Sequence, residues 1–412
     1  MIRFLKNFFL QSGAWVASSF FITKISAFLL TLFMARILSK DDFGWVMYGL
    51  NYLGFFLPFI GLGSSHAALR YTALADHTED KEKIKRYSFT YGLLFNFVLN
   101  ILMLLLALIL FGEGMQLLIV LVFSVRLLGV FLLEQAKAEI RGEHNNKKFG
   151  QLEIFSNLLL LILAVLLTYF WGVNGYIISL CISPFVVLFF NRFQISFDRS
   201  FFTNFTEKEF WKFSVSMSLT NQLSELIFLL DIFFIGLWMD NAAVAHYRIY
   251  SLIPFNLFFL SALFFQTAYP QLCEKHKDNT FQLHFLFNFW KLMTPISVMI
   301  IAITFFFDEF ILNLFGSEYS QNTIPFKILI LAAVSVLLLR TPFGYLLASK
   351  GKSQYNLISA SISIVSLMVL IKPVIKNYGL EGVAWLSFAN LLFIGIFLLG
   401  CYFYEVKMTT KS

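Results

Sequence analysis

Apolar runs of about 20 residues recur along almost the whole chain. A run of that length with few charges is what a helix needs to cross the hydrocarbon core of a bilayer. Read between polar or Gly/Pro punctuation, the sequence gives twelve such runs. They lie near 12–36, 43–66, 88–111, 116–136, 152–170, 174–191, 210–237, 243–269, 287–307, 322–348, 354–371 and 381–403. Backbone N–H and C=O groups in hydrocarbon must be satisfied inside the segment, so each run is expected as an α-helix. The fold class predicted is all-α integral membrane, with about twelve transmembrane helices and no soluble domain. Of the 412 residues 58% are hydrophobic, 13% are charged and 53 are Phe, which leaves too few polar side chains to cover a water-facing surface.

Met1 leads into a run of full spanning length and no short, small-residue cleavage site follows, so the N-terminus is expected to be retained. Cys181, Cys273 and Cys401 are far apart, lack metal-ligand spacing and read as core residues. The net charge of +7 is scattered over many short loops, a pattern that fits membrane topology and not nucleic acid binding. With the N-terminus inside, 21 of the Lys and Arg residues fall on the inner side and four (Arg36, Lys40, Lys372 and Lys376) on the outer. Both termini are therefore expected in the cytoplasm. The outer loops are short, the longest near 308–322, and none could fold as a catalytic domain.

The connection at 192–209 falls near the midpoint, with six runs before it and six after. Two lobes are expected, 1–206 and 207–412, and six spans per half make them parallel pseudo-repeats about an axis along the membrane normal. An offset of 201 sets Leu32-Phe33-Met34-Ala35 on Phe233-Phe234-Ile235-Gly236 and Lys24 opposite Glu225.

The segment Leu32-Phe-Met-Ala-Arg-Ile-Leu-Ser-Lys-Asp-Asp-Phe-Gly44, with the Gly/aromatic run to Gly61-Leu-Gly63, resembles the opening of the polysaccharide-exporter family. There a first helix ends in an Ala-Arg-x-Leu turn, and an acidic pair with Phe-Gly starts the second. With the twelve-span plan, the chain looks like a Wzx-type O-antigen flippase of the multidrug/oligosaccharidyl-lipid/polysaccharide superfamily. The resemblance implies transport of undecaprenyl-diphosphate-linked oligosaccharide repeat units from the cytoplasmic to the periplasmic leaflet of the bacterial inner membrane, in O-antigen and lipopolysaccharide biosynthesis. It implies a polyprenyl-diphosphate-linked glycan and the lipid bilayer as partners, with other polysaccharide-assembly proteins as candidates. Lipid II flippases of the superfamily usually carry further C-terminal spans.

Six basic residues fall inside the proposed spans: Lys24, Arg126, Arg248, Lys291, Lys327 and Arg340. An ionisable group at such depth is costly unless it meets water or a partner, so these are functional candidates. Lys24, Arg126, Arg248 and Arg340 form the expected cavity set, because guanidinium groups match phosphate oxygens in a bidentate way. The alternative for each is a structural ion pair or snorkelling to the interface, which is favoured for Lys291 and Lys327 near span ends.

In the seventh run Ser214, Ser218, Asn221, Gln222 and Glu225 share one helical face. That stripe reads as cavity lining, where Asn221 and Gln222 could meet sugar hydroxyls, or as hydrogen-bonded helix contact. Glu225, Asp231 and Glu134 are candidates for ion coupling or for structural ion pairs. His66 after Gly61-Leu-Gly63 reads as an ordinary helix-end residue, and no Gly-Lys-Ser/Thr follows to make a nucleotide loop. Pro58, Pro184, Pro254, Pro295 and Pro342 are candidates for helix kinks.

No metal cluster, nucleophile motif or acid/base pair stands out, so neither enzyme nor cofactor is expected. A multidrug antiporter of the same architecture ranks below the flippase, because its cavity should be rich in carboxylates. A polysaccharide polymerase or ligase ranks lower still, because it would need a long outer loop.

Overall fold

The computed structural model describes residues 14–75, 77–111, 115–143, 145–200 and 206–409. Among them the backbone is helical almost throughout and contains no strand. The chain is an all-α membrane protein. Six described segments are long and apolar enough to cross a bilayer: 40–72, 78–111, 147–189, 279–306, 324–349 and 354–408.

Helix α1 (Ala14–Ile37) stops at the Ala-Arg-Ile-Leu turn and α2 (Lys40–Gly54) begins at once. Ser39 caps α2: its Oγ accepts from the Asp42 N–H at 3.1 Å and donates to the Asp42 carboxylate at 2.8 Å. Asp41 and Asp42 occupy the first turn, where the helix dipole favours negative charge. The motif that marks the family resemblance is therefore a helix-start device.

The second apolar run is two helices, not one. After α2 a 3-10 segment, Leu57–Gly63, leads into α3 (Ser64–Leu74), and Gly61, Leu62 and Gly63 all have positive φ. A Cβ on Gly63 would overlap the Ser218 hydroxyl and the Ser214 backbone carbonyl, so glycine is required there twice over.

Helices α4 (Thr78–Phe111), α5 (Met115–Gly142) and α6 (Asn146–Ile182) follow, the last running into a 3-10 segment, Ser183–Phe189. Next come α7 (Glu207–Trp238), α8 (Asn241–Glu274), α9 (Asn279–Phe306) and the short α10 (Asp308–Asn313). A five-residue π segment, Val336–Arg340, joins α11 (Ile324–Ser335) to α12 (Thr341–Ser349), and α13 (Gln354–Thr409) ends the described chain.

Helices α6 and α13 each hold two of the expected spans and break at one glycine. Gly172 has φ 56° and ψ −139°, and Gly379 has φ 55° and ψ −142°. Only glycine adopts that backbone without strain. Three residues on, Gly175 lies against the Leu167 carbonyl and Gly382 against Val374, each eight residues back along the chain. The same Gly-x-x-Gly reversal thus closes the fifth and sixth spans of one half and the eleventh and twelfth of the other.

Contacts divide the chain into two compact units, Met1–Gln222 and Leu223–Ser412, so the division falls inside α7. The first turns of α7 belong to the first unit because Phe210 is buried with Ala67, Ile84 and Tyr87. Trp211 Nε1 donates to the Tyr87 hydroxyl at 3.0 Å, and Tyr87 in turn donates to Glu207. In the second unit Ala332 and Ala333 of α11 are fully buried, small residues that allow close helix approach.

Candidate functional site

The charges that the sequence leaves inside the apolar runs are held in several ways. In the first unit Arg126, half-buried on α5, donates from Nη1 to the backbone carbonyl of Leu180 on α6. That carbonyl would normally take its helical bond from residue 184, which is proline and has no N–H. The preceding Ser183 N–H makes its regular helical bond to Ser179 and leaves Leu180 free. Arg126 meets no carboxylate among the described residues, and a guanidinium carries five N–H donors.

The second unit uses the same device. Pro342 can return no N–H to Leu338, and Trp290 Nε1 of α9 donates to that carbonyl at 2.8 Å. The chain here is wound as a π segment, with the Thr341 N–H reaching back to Val336. Segments of this kind recur at functional sites. Its last residue, Arg340, sets its guanidinium carbon 5.5 Å from the centre of the Phe228 ring on α7, a cation–π distance. Phe228 also packs on Phe255 and Phe258 of α8, at 5.0 and 5.2 Å between ring centres.

One turn beyond Phe228, Asp231 is 1% exposed. Its Oδ2 accepts from the Tyr247 hydroxyl of α8 at 2.8 Å and from the Ser387 hydroxyl of α13. The two hydroxyls are 3.1 Å apart, and Ser387 also bonds the Val383 carbonyl at 3.0 Å. Asp231 Oδ1 has no hydrogen-bond partner among the described residues. A buried carboxylate with one open oxygen can accept a proton or a small cation. Tyr247 and Ser387 were not singled out from sequence, since hydroxyls 16 and 156 residues from Asp231 in apolar runs carry no local signal.

The other sequence candidates are placed as follows. Lys24 is exposed on α1, and Arg248 is half-buried on α8 beside Tyr247. Lys24 and Arg126 belong to the first unit, and Arg248 and Arg340 to the second. Glu134 pairs with Lys137 at 2.9 Å, and Lys137 also holds Glu153 at 2.6 Å. Lys327 pairs with Asp308 at 2.7 Å, and Lys291 is exposed.

Gln222 is buried, with no partner for its Oε1 among the described residues, while the side chains of Asn221, Glu225 and Cys273 lie outside them. Ser214 and Ser218 differ from the cavity reading: both are fully buried, with Gly63 packed onto them. Small side chains let the glycine turn approach α7, which is the helix-contact role.

A family profile described as "Polysaccharide biosynthesis protein" matches residues 33–325. The chain belongs to that family. The matched stretch of this polysaccharide biosynthesis protein includes Arg126, Asp231 and Arg248, with Lys24 and Arg340 outside it. No curated protein matches by sequence.

Among solved structures, it is similar to the lipid II flippase MurJ in an inward closed conformation. That match has 17% identity over 95% of this chain and 87% of MurJ, with a TM-score of 0.73. A multidrug resistance MATE family transporter in an inward-facing conformation is similar at 14% identity over 95% of this chain and 96% of that one, TM-score 0.67. The Vibrio cholerae MATE transporter VcmN is similar at 14% identity over 97% and 98%, TM-score 0.63. The family member therefore has the membrane-transporter fold of these proteins.

Proposed function

We propose that this polysaccharide biosynthesis protein is a flippase. It moves undecaprenyl-diphosphate-linked oligosaccharide repeat units from the cytoplasmic to the periplasmic leaflet of the bacterial inner membrane, as alternating access of two six-helix lobes, 1–206 and 207–412. The carrying observation is Arg126: a guanidinium in an apolar helix that uses one donor on the Leu180 carbonyl and meets no carboxylate among the described residues. Such a group favours an anionic cargo, and a diphosphate supplies concentrated negative charge whose desolvation fixed cations offset. Family membership and the likeness to MurJ support the same reading. Arg248, Arg340 and Lys24 complete the proposed cation set, with Gln222 and Asn221 toward the sugars. Asp231 is the proposed coupling carboxylate, its open Oδ1 the acceptor of the coupling ion.

The test is flipping of a fluorescent undecaprenyl-diphosphate glycan in proteoliposomes, read by accessibility to an impermeant quencher. Wild type is expected to flip it, and Arg126→Ala to lose flipping while inserting normally. Flipping unchanged in Arg126→Ala and Arg248→Ala would remove the cation assignment. A second reading, an ion-coupled multidrug antiporter, is favoured by Asp231 and by the MATE fold. It requires efflux of organic cations in place of glycan flipping.

A further inference from the structure

Apart from the charges in the spans, the first unit carries a polar cleft where four pieces of chain meet at one end of its helices. They are the start of α4, the end of α5, the start of α6 and the connection from residue 191. The cavity measures about 190 Å³, far above the roughly 10–15 Å³ that one water requires. The third span starts near 88 on α4 and the fourth ends near 136, so the cleft sits at the border between apolar helix and polar loop.

Its carboxylates are already engaged. Lys85, 9% exposed, bonds Glu82 at 2.7 Å and also Glu143. Glu139, 7% exposed, accepts from Asn191 Nδ2 at 2.9 Å and Gln135 Nε2 at 3.1 Å. The cations on the rim are not engaged: Arg86, Lys148 and Arg192 line the cavity and make no ion pair among the described residues. Three cations from three segments thus face a cleft whose acids have other partners. Beside it, Ile195 and Phe197 on the connection are 66% and 61% exposed, apolar groups that suit a bilayer surface.

We infer that this cleft is a phosphate-binding site, with Arg86 and Arg192 as the guanidinium clamp and Lys148 as a third charge. The guanidinium fork matches phosphate oxygens in a bidentate way, and an ammonium adds a point charge. A lipid phosphodiester and a soluble phosphate share that chemistry.

Glu139 tunes the site. It faces Glu82, Lys85 and Arg86 from α4, Glu143 just past the end of α5, Lys148 from α6, and Asn191 and Arg192 from the connection. Burial pushes its carboxyl up to about 7, against the bonds from Asn191 and Gln135 and the charge of Lys85, which favour ionisation, while Glu82 raises it further. Protonation removes a negative charge from the cleft, so binding of a phosphodiester strengthens as pH falls from 8 to 6.

The experiment uses the full chain in nanodiscs of phosphatidylcholine, with thermal unfolding as the readout. One arm adds inorganic phosphate, and the other replaces part of the lipid with phosphatidylglycerol. A rise in Tm with inorganic phosphate supports a soluble ligand, and a rise only with phosphatidylglycerol supports a headgroup. In either arm Arg86→Ala/Lys148→Ala/Arg192→Ala is expected to bind about tenfold more weakly, each partly exposed cation contributing a modest share. Lys275→Ala/Lys277→Ala, in the second unit, is expected to respond as wild type.

Glu139→Gln keeps all three cations and guards against misfolding of the triple variant. At pH 8 it is expected to bind phosphatidylglycerol more tightly than wild type, with no pH dependence between 6 and 8. No response in either arm, an undiminished response in the triple variant, or weaker binding by Glu139→Gln overturns the site.

Discussion

Arg126 donates to the carbonyl of Leu180, the acceptor that Pro184 leaves without its helical partner. The bond gives Arg126 a structural role that can be separated from any role toward cargo. Hydrogen bonds to charged groups contribute about 1.5–3 kcal/mol, so Arg126→Ala is expected to lower stability by about that much. Pro184→Ala restores an N–H to the helix and should recover most of the loss in the double variant. If Arg126 also binds an anionic cargo, the double variant regains Tm but not glycan flipping. Recovery of both would reduce Arg126 to a helix cap.

Asp231, Tyr247 and Ser387 join three helices of the second unit through one buried carboxylate oxygen. Tyr247→Phe removes one donor and leaves Oδ2 with the other, which is expected to cost about 1–3 kcal/mol. Thermal unfolding in detergent measures it. Asp231→Asn keeps the shape and removes the charge, so the protein should fold while transport loses its dependence on an ion gradient. Transport that still follows the gradient in Asp231→Asn would exclude this residue as the coupling group.

Gly172 and Gly379 share one backbone conformation, and a Cβ at either would meet no atom of the described residues within 4 Å. Substitution therefore costs only backbone strain, about 1–3 kcal/mol for a residue held in such a region. Gly172→Ala and Gly379→Ala are each expected to lower stability by a similar amount within that range. A large loss in one and none in the other would mean that the two reversals are not equivalent.

The spans were legible because apolar length is written directly in composition, and each expected run lies mainly on helix within the described residues. The reversals were less so. An offset of 201 aligned the first helices of the halves, whereas Gly172 and Gly379 are 207 apart, and only the backbone angles identify them as the same turn. Depth alone flagged Arg126 and Asp231, but not what holds them. The partner of Arg126 is a main-chain carbonyl made available by a proline 58 residues later, and no side-chain pattern encodes that. The serines at 214 and 218 read as polar lining because hydroxyls suit both water and close packing; the neighbouring glycine decides between them.

Glu139 gives the fold a pH dependence whose sign follows from its burial. It lies beyond the end of the fourth span, and burial raises its carboxyl from the ordinary 4.5 to about 7. A carboxyl raised in the fold holds its proton more tightly folded than unfolded. Its stabilising contribution is complete below pH 4.5 and is lost as pH rises through about 7. The gap between those values corresponds to about 3 kcal/mol. Wild type should therefore lose stability between pH 5 and pH 8 by up to that amount, and Glu139→Gln, which cannot ionise, should lose less. Lys85, Glu82 and Glu143 are the same in both proteins, so the difference between the two pH profiles isolates Glu139. Unfolding midpoints at several pH values measure it, and parallel profiles would show that the carboxyl is already ionised and stabilised in the fold.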